Sequence, residues 1–264
     1  MTLPPLQEEP FVLQAPPSWR CIDFISDLHL QPELPRTAAA FKTYLRDTPA
    51  DALLILGDLF EAWVGDDARD QPFEADCVQA IAAASKRMAV AIMVGNRDFL
   101  LGPDMLMACG ASLLPDPCVL QAWGQRAVLM HGDALCLADA PYLRFRKQVR
   151  HPAWQATFLA QTLEARLAQA RQMREASHAH QREQGMAEWA DVDATQAGQL
   201  LHNAQAQWLI HGHTHRPASE PFGAPGCTRH VLSDWDLDNT AAPRAEVLRW
   251  RAEQGFTRHA VTPL

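Results

Sequence analysis

The chain has 264 residues, enough for one large domain or for a domain carrying a sizeable insertion. Its 31 Asp and Glu against 23 Lys and Arg leave a formal net charge of −8, which argues against sequence-independent nucleic-acid binding. Apolar residues make up 48% and charged residues 20%, a globular balance, and no apolar run approaches the roughly 20 residues that span a bilayer.

Residues 1–20 hold five prolines and begin with the acidic stretch MTLPPLQEEP, so they are expected to form an extended tail rather than a signal or transit peptide. A single domain over 21–264 follows. Apolar runs at Cys21–Ile25, Leu53–Leu56, Ala89–Val94, Ala127–Met130 and Trp208–Ile210 each end on polar, ligand-type residues. Short apolar runs without alternation suit strands buried on both faces. Ala38–Arg46 and Phe73–Met88 have helical spacing, so the pattern predicts an α/β layered sheet with its site at the carboxyl ends of the strands. From Pro141 to about Gln207 the alternation stops, and no glycine occurs before Gly185. Two or more helices are expected there, as a helical cap inserted at about 141–207. Strand-like runs return at Thr228–Leu232, Ala245–Trp250 and Phe256–Val261. The six cysteines lack C-x-x-C spacing and read as buried thiols of a reducing compartment.

The strand ends carry the chemistry. Asp27-Leu28-His29 and His213-Thr214-His215 are i, i+2 pairs, which point the same way in an extended segment. Asp58, Asn96 and His131 add further oxygen and nitrogen donors, all expected at one edge of the sheet. Carboxylate, amide and imidazole without thiolate suit Mn, Fe, Zn or Mg. Seven such donors are too many for one tetrahedral ion and suit two divalent ions sharing a carboxylate. A lone D-x-H or G-D is more often a turn; the ordered set, each member after an apolar run, is not. His211 reads as a structural imidazole or one that supports a ligand, and Trp63, Phe99 and Leu100, which flank the ligand motifs, as core residues with substrate contact as the alternative.

In order and spacing these fragments resemble the calcineurin-like metallophosphoesterases. The wider strings I-S-D-L-H-L, I-L-G-D-L-F-E-A-W-V-G-D-D, G-N-R-D-F-L-L-G, M-H-G-D and W-L-I-H-G-H-T-H-R-P resemble the branch that hydrolyses UDP-2,3-diacylglucosamine in lipid A biosynthesis, over roughly Cys21 to Asp236. The resemblance implies layered β-sheets flanked by helices, with the helical cap inserted. It also implies that Asp27, His29, Asp58 and His215 hold one ion and that Asp58, Asn96, His131 and His213 hold the other. Asp58 would bridge, and Mn²⁺ is the expected metal. Metal-activated water would attack the α-phosphorus of the pyrophosphate, releasing UMP and 2,3-diacylglucosamine 1-phosphate (lipid X). Asp58, Asn96, Arg97 and His213 are the implied catalytic residues.

Arg97 stands where most of the family has histidine. A permanent cation with a forked donor face stabilises phosphoryl charge and does not donate a proton near neutral pH. Asn96, Arg97 and His213, with Asp139 and Tyr142 of the D-A-P-Y run and Ser177 of M-R-E-A-S-H, are implied to bind substrate. Beyond Ser177 the chain departs from the family's S-x-x-x-N-x-x-K: Gln181 and Gln184 occupy those places, and Arg182 is the nearest replacement for the lost lysine.

Between Arg144 and Arg174, within the insert, Arg144, Arg146, Lys147, Arg150, Arg166, Arg171 and Arg174 face a single anion, Glu164, a local +6 over that stretch. Phe158, Leu159, Leu163 and Leu167 step at helical spacing beside them. The expectation is an apolar inner face for acyl chains and a basic flank on anionic lipid. That places the protein in the cytoplasm, peripheral to the inner membrane, with no nucleic-acid or obligate protein partner. The alternative is the same metal chemistry on a soluble diphosphate such as a nucleotide-sugar or dinucleoside polyphosphate. A binding protein that merely keeps the fold would be expected to have lost several of the donors.

Overall fold

The computed structural model describes residues 10–184 and 190–262, the side chains of 175–184 excepted. Its frame is two six-stranded sheets among the described residues. The first runs β12 (Gly255–Ala260), β11 (Glu246–Arg251), β2 (Cys21–Ile25), β3 (Ala52–Leu56), β4 (Ala89–Met93) and β5 (Ser112–Leu114). The second runs β1 (Val12–Gln14), β6 (Cys118–Ala122), β7 (Gln125–Met130), β8 (Trp208–His211), β10 (Thr228–Val231) and β9 (Ala218–Pro221). The expected strands lie within a residue or two of these bounds.

The uninterrupted apolar runs have a direct physical cause. Alternate side chains of one strand enter two different cores. Ile22, Phe24, Leu54 and Leu56 meet Leu120, Leu129 and Ile210 between the sheets. Ile25, Leu53, Ile55 and Ile92 pack outward against Phe41 and Leu45 of helix α1 (Pro35–Asp47) and Cys77 and Ile81 of helix α2 (Pro72–Ser85). On the far side Val128, Met130 and Leu209 pack on Ala197 and Leu201 of a helix over Ala194–Ala204. The architecture is therefore helix, sheet, sheet, helix. Helix α3 (Pro103–Cys109) completes the first helical layer beside α2. The exception in these strands is Asp23, fully buried and held by a bidentate pair with Arg249 at 2.7 and 2.8 Å, by Tyr44 at 2.8 Å and by Thr48 at 2.7 Å. A buried charge is tolerated only when its lone pairs are all engaged, as here.

Three expectations change. The donors come not from one sheet edge but from two: β2, β3 and β4 belong to one sheet, β7 and β8 to the other. The N-terminal tail is partly built in, because Val12, Leu13 and Gln14 pair in parallel with Val119, Leu120 and Gln121. The insert folds as α4 (Ala140–Val149), α5 (Pro152–Leu159) and α6 (Leu163–Gln184), followed by α7, the Ala194–Ala204 helix already met. Phe158–Leu159 and Leu163–Leu167 consequently lie on two helices rather than on one stripe. Thr162 starts the second, its Oγ1 accepting from Ala165 N at 3.3 Å and its carbonyl from Arg166 N at 3.1 Å.

Candidate metal centre and its cavity

The loops after β2, β3, β4, β7 and β8 converge at the ends of both sheets. Their backbone is unusual. Asp27, His29, Asp58, His213 and His215 all have φ between 48° and 67°, in the left-handed region that side-chain-bearing residues avoid. Such strain, of order 1–3 kcal/mol each, gathers where a site over-determines the conformation. The i, i+2 pairs thus share a direction through tight left-handed turns, not through extended chain.

Adjacent glycines make the room. A Cβ on Gly95 would stand 2.1 Å from Asp58 Oδ1, on Gly57 2.4 Å from His131 Nδ1, and on Gly212 2.3 Å from Asp27 Oδ2. Backbone amides then grip the carboxylates: Arg97 N donates to Asp58 Oδ1 at 2.8 Å, and His213 N reaches both Asp27 oxygens at 2.9 and 3.0 Å. The Ser26 hydroxyl adds a bond to Asp27 Oδ2 at 2.5 Å.

Ligating atoms of Asp27, His29 and His215, and of Asp27, Asp58 and His131, lie within 4.8 Å of one another. Asp58 Oδ2 stands between the two groups, 3.9 Å from His29 Nε2 and 3.7 Å from His131 Nε2. His29 and His215 present Nε2 to each other at 3.3 Å, and His215 Nε2 is 3.3 Å from Asp27 Oδ1. Asn96 Oδ1 lies 2.9 Å from His131 Nε2 and 3.0 Å from His213 Nδ1. All seven expected donors are therefore brought together, although Asp27 touches both groups as Asp58 does.

The donor chemistry fits divalent cations. His131 Nδ1 gives its proton to the Leu56 carbonyl at 2.9 Å, and His29 Nδ1 to Glu61 Oε2 at 2.8 Å. Their Nε2 lone pairs then point at further acceptors, an arrangement that is repulsive unless a proton or a cation stands between them. The titration of the metal-free groups says the same. Burial pushes His131 down, but Asp58, Asp133 and Asp27 pull it up to about 9. Burial pushes Asp27 up, yet His215, His131 and His29 hold it well below the usual carboxylate range. His213 falls to about 4, through burial and the charge on His131.

Several supporting groups escaped the sequence reading. Asp98, buried, accepts from Gly95 N at 2.7 Å and Leu59 N at 2.8 Å and so ties the Asn96 turn to the Asp58 turn; burial and Asp58 raise it to about 6. Asp133 accepts from Tyr142 Oη at 2.5 Å and Arg146 Nε at 2.8 Å. Both follow a donor within two residues, a positional signal too common to act on alone. His211, as expected, is structural: fully buried, it lies with Nδ1 2.9 Å from the Gly212 carbonyl, and burial lowers it to about 4.

The centre opens into a cavity of about 660 Å³. Asn96, Arg97, Asp139, Tyr142 and His213 supply polar lining. Asp139 caps α4 by accepting from Tyr142 N at 2.9 Å, and the Tyr142 ring lies 6.0 Å from that of His213, centroid to centroid. Trp63, Phe99, Trp154, Phe158 and Met173 supply apolar lining, and Trp154 stacks on Phe158 at 4.9 Å. Trp63 and Leu100 are buried and Phe99 is half-buried, and all three line this cavity, so core packing and a place at the cavity go together here. Ser177, Gln181, Arg182 and Gln184 lie outside the residues whose side chains are described.

Residues 22–217 match the calcineurin-like phosphoesterase model. A UDP-2,3-diacylglucosamine hydrolase of Stenotrophomonas maltophilia is 45% identical over 222 residues, covering 80% of this chain and 90% of its own. The chain belongs to that branch of the calcineurin-like phosphoesterase family. Other branch members are similarly near: a Xanthomonas campestris hydrolase of the same name is 46% identical with the same coverage, and one of Bordetella parapertussis is 44% identical over 225 residues. Membership and donor set together make the chain a metal-dependent hydrolase.

Proposed function

We propose that this chain hydrolyses the pyrophosphate bond of UDP-2,3-diacylglucosamine by attack of water at the α-phosphorus, giving UMP and lipid X for lipid A biosynthesis. The observation that carries this reading is the cavity itself, whose lining joins Asn96, Arg97 and His213 of the centre to the aromatic side chains of Trp63, Phe99, Trp154 and Phe158. A diphosphate joined to acyl chains matches both kinds of lining.

Asp27, His29, Asp58 and His215 would hold one ion, and Asp58, Asn96, His131 and His213 the other, with Mn²⁺ as the proposed metal. Two such ions acidify water and clamp the oxygens of an in-line phosphoryl displacement. The protein's own contribution is placement. Arg97, its backbone fixed on Asp58, faces the diphosphate with a forked cation and stabilises charge without giving up a proton. Asn96 and His213 hold the phosphoryl group near the ions. Asp139 and Tyr142 shape the polar wall through the start of α4, and Ser177 is proposed as a further substrate contact.

Peripheral association with the inner membrane, on the cytoplasmic side, is part of the proposal in reduced form. Of the seven cations between Arg144 and Arg174, Arg146, Arg150, Arg166 and Arg174 turn to protein partners: Asp133, the Gly95 carbonyl, Asp67 and Glu61. Arg144, Lys147 and Arg171 are exposed, with Phe145 and Leu159 beside them in the same helical region. At about 1 kcal/mol per cation near anionic lipid, the attraction is roughly half that expected from the sequence. Among the described residues no helix is long and apolar enough to cross a membrane.

The test is turnover of UDP-2,3-diacylglucosamine with Mn²⁺ in ¹⁸O-labelled water. Label in UMP is the expected result. Label in lipid X would place the attack at the other phosphorus, and absence of turnover would overturn the reading.

A further inference from the structure

Glu61 is no ligand in this assignment, yet it is only 9% exposed and lines the cavity among its charged groups. The backbone holds it there. His29 N donates to the Asp58 carbonyl at 3.0 Å, Leu30 N to Leu59 at 3.0 Å, and Glu61 N to Leu30 at 3.2 Å, so the loops after β2 and β3 run zipped together. Glu61 is thereby fixed beside His29. Its Oε2 accepts from His29 Nδ1 at 2.8 Å, while Oε1 lies 3.7 Å from Arg174 Nη1 and 4.0 Å from Arg97 Nη1. Arg174, on α6, is braced by a bond to Gln31 Oε1 at 3.1 Å.

These three partners come from three separate places: the loop after β2, the loop after β4 and the helical insert. All three are donors. Only a carboxylate offers an acceptor on each side; an amide of the same shape offers one. Two guanidinium groups beside one oxygen would also repel each other without its charge. Arg174, which the sequence groups with the lipid-facing cations, stands instead in the cavity wall.

We propose that Glu61 is a positioning residue with two linked tasks. One oxygen fixes the His29 ring so that its Nε2 lone pair faces the ion, and the other holds Arg97 and Arg174 together, tying α6 to the metal centre. This rests on the hydrolase reading above. A histidine ligand commonly depends on such an outer partner, whose loss weakens metal binding about 10- to 100-fold.

Two variants separate the tasks. In Glu61→Gln the single carbonyl turns to the two permanent cations, which leaves the amide NH₂ against His29 and moves the ring proton onto Nε2. Calorimetric titration of the metal-free protein with Mn²⁺ should then show one of two binding steps weakened about 10- to 100-fold and the other unchanged. The KM for UDP-2,3-diacylglucosamine at saturating Mn²⁺ should rise less than in Glu61→Ala, because the carbonyl still accepts from a guanidinium although the charge that offsets their repulsion is gone. Glu61→Ala should weaken the same binding step and also raise KM, and combining it with Arg174→Ala should raise KM less than the product of the two single effects, because both remove one contact. Unchanged Mn²⁺ binding in Glu61→Gln, or fully multiplicative KM effects in the double variant, would overturn the proposal. The titration needs no substrate, so a wild-type protein that binds two ions but leaves the substrate uncut would sink the hydrolase reading and not this one.

Discussion

At the floor of the site, five of the seven proposed donors sit in left-handed backbone, and three neighbouring glycines have no room for a methyl group. In the insert above it, α4, α5 and α6 are ordinary helices, and an arginine's direction depends on which turn of which helix it falls on. The difference teaches where information is kept in this chain. The floor is written in short strings because each position is constrained by backbone, space and charge at once. The insert is written in geometry that becomes definite only when the helices dock.

The floor side of that comparison breaks most completely at Asp58. Removing the carboxylate that stands between the His29 and His131 groups should abolish measurable turnover and reduce bound Mn²⁺ below two ions per chain, with the circular dichroism spectrum retained. Near wild-type turnover in Asp58→Ala would remove the two-ion assignment.

Arg97 comes next. Its replacement by alanine should cost roughly 10²–10³ in kcat, as losing one preorganised charge donor does. Arg97→Lys should recover only part, since a point charge lacks the fork. Full recovery by lysine would show that the planar geometry is idle.

A smaller effect sharpens the electrostatics. In the metal-free protein His131 keeps its second proton up to about pH 9, although a ligating imidazole must be neutral. Mn²⁺ uptake at pH 7.5 should therefore release a proton, and affinity should rise with pH until it levels above about 9. Calorimetry in two buffers of different ionisation enthalpy reads this directly; identical apparent enthalpies would contradict it.

The smallest effect belongs to the insert. Changing Arg144, Lys147 and Arg171 together to glutamine should weaken binding to anionic vesicles by up to about 3 kcal/mol at low salt, and leave cleavage of detergent-dispersed substrate unaltered. Equal binding before and after would show that the membrane-facing surface lies elsewhere.

The legibility of the chain follows the same division. Strands β2, β3, β4, β7 and β8 could be read because burial on both faces forces unbroken apolar runs. The donors could be read because a carboxylate, amide or imidazole follows each run, in four of the five beside a glycine. What stayed hidden was set by tertiary contact. The three-residue strand at Val12–Gln14 is too short to carry a pattern and is held by its partner β6. The assignment of strands to two sheets depends on pairings no single run encodes. The break between α5 and α6, where Ala160 ends one helix and Thr162 starts the next, carries no glycine or proline to announce it. Glu61 and Asp98 stood in quoted strings, yet their partners are 32 and 39 residues away along the chain. Four of seven arginines and lysines turned inward, a matter of helix rotation that composition cannot express.

The central claim is that one cavity joins a diphosphate-cleaving floor to an apolar wall made for acyl chains. Comparing kcat/KM for UDP-2,3-diacylglucosamine with that for a UDP-sugar carrying no acyl chain, under the same Mn²⁺ and detergent, tests it most directly. The aromatic wall predicts a preference of at least about 10³ for the diacylated substrate, equivalent to roughly 4 kcal/mol of apolar contact. Equal efficiency on the two would mean that the wall takes no part in recognition, and that the soluble-diphosphate reading is the correct one.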